Sequence, residues 1–105
     1  MSKKAGIRKV EMNDLDACYS LIEELAIYEK APNELVLTPE TFKADFSKNR
    51  FDAFVCEING EIVGMALYYP IYSTWKGHSM HLEDLIVRQS QRRKGLGTLL
   101  FDAVV

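Results

Sequence analysis

The sequence is poor in everything that would staple a short chain from outside or seat it in a bilayer. It has two cysteines, Cys18 and Cys56, so one bridge at most. Both fall in apolar, regular-looking segments and read as reduced packing residues, not as the frame of a disulfide miniprotein. Three prolines and six glycines in 105 residues exclude collagen-like and low-complexity architectures. The longest uncharged run, Ile62 to Trp75, is 14 residues and contains Pro70, Ser73, Thr74 and three tyrosines. A bilayer crossing needs roughly 20 apolar residues, so no membrane partner is expected. Met1-Ser2-Lys3-Lys4 is basic, but no apolar stretch of the secretory-signal kind follows it, and the expectation is a cytoplasmic protein. Charge of one sign is scarce as well: 13 Lys+Arg stand against 15 Asp+Glu, a net −2.

What is present is an ordinary globular mixture, 48% hydrophobic and 27% charged, enough for one small domain with a core. Ile7 to Met12 alternates apolar and charged residues as a strand does. A helix is expected from Asn13 or Asp14 to about Tyr28 or Lys30, with Leu15, Cys18, Ile22, Leu25 and Ala26 on its buried stripe. Thr38 followed by Pro39 and Glu40 starts a second helix, with Phe42 and Phe46 inward, that is over by Asn49. Ala53 to Ile58 and Ile62 to Tyr72 read as strands joined by Asn59-Gly60, the favoured dipeptide of a type I′ hairpin. The almost unbroken apolar content of the second implies helices on both faces of the sheet. His78 to Val87 is the next strand, and from Gly95 a third helix begins. Short turns make these strands antiparallel, and the fold class is α/β: a mainly antiparallel sheet flanked by helices.

The chemistry-bearing stretch is Leu82 to Leu100, LEDLIVRQSQRRKGLGTLL. A strand leads into a loop with four cations, Arg88, Arg92, Arg93 and Lys94, and no anion, while the rest of the chain carries a net −6. Glycines at 95 and 97 then open a helix. Helix starts expose unpaired N–H groups that favour phosphates, and glycines let the backbone come close to them. The P-loop pattern is absent, and the dinucleotide fingerprint fails because Leu100 stands at its third glycine. What fits is [Q/R]-x-x-G-x-[G/A], met by Arg92, Gly95 and Gly97. Arg92-Arg93-Lys94 could also be a solvated basic loop or a nucleic-acid contact. The glycine spacing favours the phosphate reading, and the acidic remainder argues against nucleic acid.

With these residues the chain resembles the GNAT superfamily of N-acetyltransferases, whose acetyl-CoA pyrophosphate loop carries this signature. The segments ELAIYE at 24–29, YSTWKG at 72–77 and LEDLIV at 82–87 look like its diamine branch, the spermidine/spermine acetyltransferases. The resemblance covers nearly the whole chain. It implies a GNAT acyl-CoA N-acyltransferase fold, acetyl-CoA as co-substrate without a metal, and a small polyamine or diamine as acceptor. It implies that Leu85, Ile86 and Val87 lie on the strand that pairs with the pantetheine arm, and that Arg92, Arg93, Lys94, Gly95, Leu96, Gly97 and Thr98 form the pyrophosphate site. Tyr28, Glu29 and Glu83 match positions that contact the amine, and Glu83 also matches the general base, acting through water.

Glu83 and Asp84 taken alone could be a carboxylate pair on a sheet surface, and strand alternation sends Asp84 to the opposite face. His81 shares a face with Glu83 if no bulge intervenes, but two ligands do not make a zinc site, and a satisfied histidine is the expectation. Tyr72 and Trp75 read as hairpin packing in preference to ligand stacking.

The resemblance also implies a strand, a helix and a final strand pair beyond the helix in which residues 101–105 stop, so the chain reads as the N-terminal portion of one such domain. The branch is dimeric, implying a homodimer or a complementing chain. The second functional reading is a non-catalytic CoA-binding fragment or split subunit. Purified alone, the 105-residue chain is expected to show little or no acetyl transfer; turnover of spermidine without a partner chain overturns that expectation.

Overall fold

The computed structural model describes residues 5–88 and 95–105. The order is β1 (Ala5–Lys9), a 3-10 turn at Met12–Asp14, α1 (Leu15–Tyr28), a 3-10 turn at Pro32–Glu34, α2 (Pro39–Ser47), β2 (Asp52–Ile58), β3 (Glu61–Ser73), β4 (Gly77–Val87) and α3 (Leu96–Val104). The four strands form one sheet in the order β1-β2-β3-β4, every neighbouring pair antiparallel. The α/β class and the helix-flanked antiparallel sheet expected from the sequence are the architecture found.

Local chemistry explains the boundaries. Thr38 Oγ1 accepts the N–H of Thr41 and caps α2, with Pro39 at its first position. Asn59 and Gly60 both have positive φ, as a type I′ turn requires, and return β2 into β3. The first strand is shorter and earlier than Ile7 to Met12. Asp14 accepts the N–H of Glu11 and pairs with Arg8, which winds Met12–Asp14 into a turn instead of extending the strand. The buried stripe of α1 is also rotated: Leu15, Cys18 and Leu21 are fully buried, whereas Ile22, Leu25 and Ala26 are only partly covered.

The core lies in two layers. On one face of the sheet, α1 and α2 pack Leu15, Cys18, Leu21 and Phe42 against Val55, Ile62, Met65, Leu67 and Ile86. On the other, α3 packs Leu96 and Leu100 against Cys56, Val63 and Ala66. Ile62–Tyr68 is buried throughout, as its composition predicts for a strand covered on both sides. Cys18 and Cys56 are free and buried, in line with their reading as packing residues, and burial pushes the Cys18 thiol up to about 12.

Gly64 is where α3 comes closest to the sheet. A Cβ there would sit 3.0 Å from the Ile86 carbonyl oxygen and 3.1 Å from Leu100 Cδ1. Gly64→Ala is expected to cost about 1–3 kcal/mol in urea unfolding, because neither the strand backbone nor the helix can withdraw freely. Gly97→Ala, whose Cβ meets nothing within 4 Å, serves as the control and should be neutral or stabilising.

Candidate active site

The acidic end of the molecule is made by a defect in the β3–β4 pairing. Leu67 pairs with Asp84 and Tyr68 with Leu82, so Glu83 is an extra residue with no partner across the ladder. Such a bulge bends a strand and re-aims its side chains. Leu67 and Tyr69 share one face of β3, and their partners are Asp84 and His81, three apart on β4. Glu83 Oε1 lies 3.6 Å from His81 Nε2 and 3.5 Å from the Tyr69 hydroxyl. The bulge therefore corrects the expectation from strand alternation: Asp84 joins Glu83 on the face toward α1 instead of pointing away. His81 does share that face, although a bulge intervenes.

α1 contributes the other half of this cluster. Its C-terminus closes with Lys30 in the left-handed region, Ala31 N–H bonded to Ala26 O and Lys30 N–H to Ile27 O. These two hydrogen bonds fix where Tyr28 and Glu29 leave the helix. Both are exposed. Glu29 lies near enough to act on Asp84, whose carboxyl is held above the usual aspartate range by burial first, then by the negative charges of Glu83 and Glu29. Glu83 is half exposed and Asp84 more covered. Three carboxylates thus come together at one end of the sheet and concentrate negative charge there. The sequence gives no sign that Tyr69 and Asp84 come together with Glu83, because a one-residue bulge has no signal in a single strand pattern.

The other expected residues lie on β4 and α3. Leu85 is exposed, Ile86 faces the α1 layer in the core, and Val87 packs partly in the α3 layer. β4 is the last strand of the sheet, so its outer edge has no strand neighbour among the described residues. Arg92, Arg93 and Lys94 lie outside the described residues. Arg88 is engaged elsewhere: Nη1 donates to Glu61 Oε2 at 2.7 Å and Nε is 3.6 Å from Glu24 Oε2. Its charge is therefore compensated at the base of the loop, which lowers the free positive charge expected from the sequence.

α3 begins with Gly95 at φ 75, a left-handed conformation suited to glycine, and no acidic residue occupies its first turn. Leu96 is buried against the sheet and anchors the helix, while Gly97 and Thr98 border open space or solvent. The first amides of a helix have no intrahelical acceptor. Helix-start N–H groups, the small Gly97 surface and an edge of β4 without a strand neighbour among the described residues suit an extended ligand that is anionic at one end and amide-bearing along its length. Among the described residues no group of three metal-ligating side chains occurs, and no helix is long and apolar enough to cross a membrane. Tyr72 and Trp75, expected as hairpin packing, are instead exposed, Trp75 by 94%. The hairpin tip extends past the last β2 pairing at Asp52–Tyr68, where no third strand pairs with it among the described residues.

An antiparallel sheet thus lies between a helix pair and a single helix, the latter opened by glycine and following β4. The chain belongs to the acetyltransferase (GNAT) family, whose model matches residues 12–105. It is 40% identical over 99 residues to the thialysine N-epsilon-acetyltransferase of Caenorhabditis elegans, covering 94% of this chain and 62% of that protein. It is 33% identical over 100 residues to the human spermidine/spermine N(1)-acetyltransferase-like protein 1, covering 87% of this chain and 14% of that one. These relatives lie in the diamine acetyltransferase branch. Among solved structures, an aminoglycoside acetyltransferase from an uncultured soil metagenomic sample, in complex with sisomicin, shares the fold with a TM-score of 0.78 at 24% identity. That match covers 95% of this chain and 66% of the other. The chain thus spans a little under two thirds of the worm relative's length.

Because the folded state raises the Asp84 carboxyl, ionisation of Asp84 costs stability as pH rises through its folded value. Asp84→Asn should raise the thermal midpoint at pH 7, and the gain should vanish as pH falls below the ordinary value of 3.8. Midpoints for both proteins across pH 3 to 7 check this.

Proposed function

We propose that the whole protein transfers the acetyl group of acetyl-CoA to a primary amine of a small diamine or polyamine-like substrate. The observation that carries this reading is the division of labour along β4. Its bulge presents Glu83 and Asp84 beside Glu29, and its open edge runs on toward the amides at the start of α3. A cation seat on β4 and an anion seat at the start of the helix that follows it suit a reaction between a cationic acceptor and a phosphorylated donor.

Acetyl-CoA supplies an activated acyl group as a thioester; the chain's residues bind it and prepare the amine. The amides from Gly95 to Thr98, together with Arg92, Arg93 and Lys94, hold the pyrophosphate, and the backbone of Leu85 to Val87 aligns the arm. Tyr28, Glu29 and Glu83 hold the ammonium groups of the substrate. An alkyl ammonium near pKa 10.4 must lose a proton before it can attack, a cost of about 4–5 kcal/mol at pH 7. An ordinary carboxylate is a weak acceptor for that proton. Of the three carboxyls, Asp84 is held above its ordinary range, by burial first and then by the charges of Glu83 and Glu29. Glu83, exposed and adjacent to the seat, takes the proton through water, with Asp84 sustaining the negative field behind it.

The thialysine and spermidine relatives support an amine acceptor, and the worm relative's greater length supports reading this chain as the N-terminal part of the domain. The apolar side chains exposed on the β3–β4 hairpin, Ile71, Tyr72, Trp75 and Met80, fit a homodimer. A cytoplasmic location completes the proposal.

Acetyl transfer to a panel of spermidine, short diamines, thialysine and lysine, measured with the full-length gene product, tests the reading. Gly97→Val is expected to raise KM for acetyl-CoA at least tenfold with little effect on KM for the amine. Glu83→Gln should lower kcat by about 10²-fold or more, in the range of lost general-base catalysis. Unchanged acetyl-CoA affinity in Gly97→Val, or no transfer to any amine of the panel, overturns the assignment.

A further inference from the structure

One group in the acidic cluster has no part in the reading above. His81 is half exposed, its Nε2 3.6 Å from Glu83 Oε1. Its ring lies 5.1 Å from that of Tyr69, tilted by 50°. Because the Tyr69 hydroxyl is 3.5 Å from the same Oε1, one carboxylate oxygen faces both an imidazole nitrogen and a phenol. Histidine is the side chain whose charge ordinarily changes between pH 5 and 8. The groups against its ring are Glu83 on β4 and Tyr69 on β3; behind Glu83 lies Asp84, on which Glu29 at the end of α1 also acts. A proton on this imidazole therefore places a positive charge inside a carboxylate cluster, beside the oxygen that an incoming ammonium needs.

We propose that His81 is a positioning residue that gates Glu83: as imidazolium it pairs with the carboxylate and competes with the substrate ammonium, and as neutral imidazole it leaves the carboxylate open. The proton comes from solvent on acidification and returns to solvent when the amine binds, so no other reactant is involved. The inference rests on the proposed role of Glu83 as an amine contact. Tyr69 keeps the imidazole against the bulge and donates to the carboxylate in both states. The pair is half exposed, so its effect is modest, about two- to fivefold in amine affinity. By reciprocity, bound amine lowers the His81 titration midpoint by the same factor, about 0.3 to 0.7 of a pH unit.

The test is an NMR titration of the histidine ring protons in the intact protein, with the His81 signal assigned by its loss in His81→Gln. Saturating spermidine is expected to lower the His81 midpoint by that amount, and Glu83→Gln should lower it without any amine. In acetyl-transfer assays, KM for spermidine should rise from pH 8 to pH 6 by up to that two- to fivefold limit in excess of any rise in His81→Gln, with kcat at pH 8 preserved. A His81 midpoint indifferent to Glu83→Gln overturns the gate whatever the enzyme acetylates. The same acid rise of KM in wild type and His81→Gln overturns the gate while leaving the transferase reading intact. Failure of spermidine to bind, with the Glu83→Gln response present, overturns the amine-contact role and the gate together.

Discussion

The structure depends on the burial of β3 from Ile62 to Tyr68 on both sides. Remove either apolar face and one helical layer loses its seat: Ile62, Met65 and Leu67 carry α1 and α2, while Val63 and Ala66 carry α3. Each of the larger of these side chains, Ile62, Val63, Met65 and Leu67, is worth roughly 1.5–3 kcal/mol of apolar transfer when fully buried, so neither layer is dispensable to a domain of this size. The doubly covered strand also explains why β3 tolerates a glycine at 64, where a side chain on the α3 face would hold the helix away.

That central strand was legible in the sequence because its unbroken apolar run has no other economical explanation. The Asn59-Gly60 hairpin and the Thr38-Pro39 helix start were equally legible, since each rests on backbone chemistry confined to a few residues. The candidate site was legible in its parts and not in its arrangement. Tyr28, Glu29 and Glu83 could be named from resemblance, but alternation placed Asp84 on the wrong face. A bulge is set by how two strands meet, and one strand's sequence does not record its partner's register. Arg88 shows the same limit: four cations in one loop looked like a single charged surface until the fold supplied Glu61 and Glu24.

Charge is separated along the molecule. The carboxylates gather at the bulge and the end of α1, while the start of α3 is free of acids in its first turn. Arg8 does the corresponding work for the frame, paired with Asp14 and Glu57 so that β1, β2 and the entry to α1 are tied together. Its guanidinium holds the Asp14 carboxyl below the ordinary range. Structural acids are thus neutralised by near partners, and the acids at the bulge crowd one another instead.

The exposed hairpin tip has an optical consequence. Trp75 is the sole tryptophan of the chain, and its indole is already in water in the folded protein. Its emission will change little when the core melts, and loss of the two buried layers is better followed by circular dichroism. For the same reason the indole is a clean reporter of anything that settles on the hairpin, since a blue shift there signals new cover over the tip and not a change in the fold beneath it.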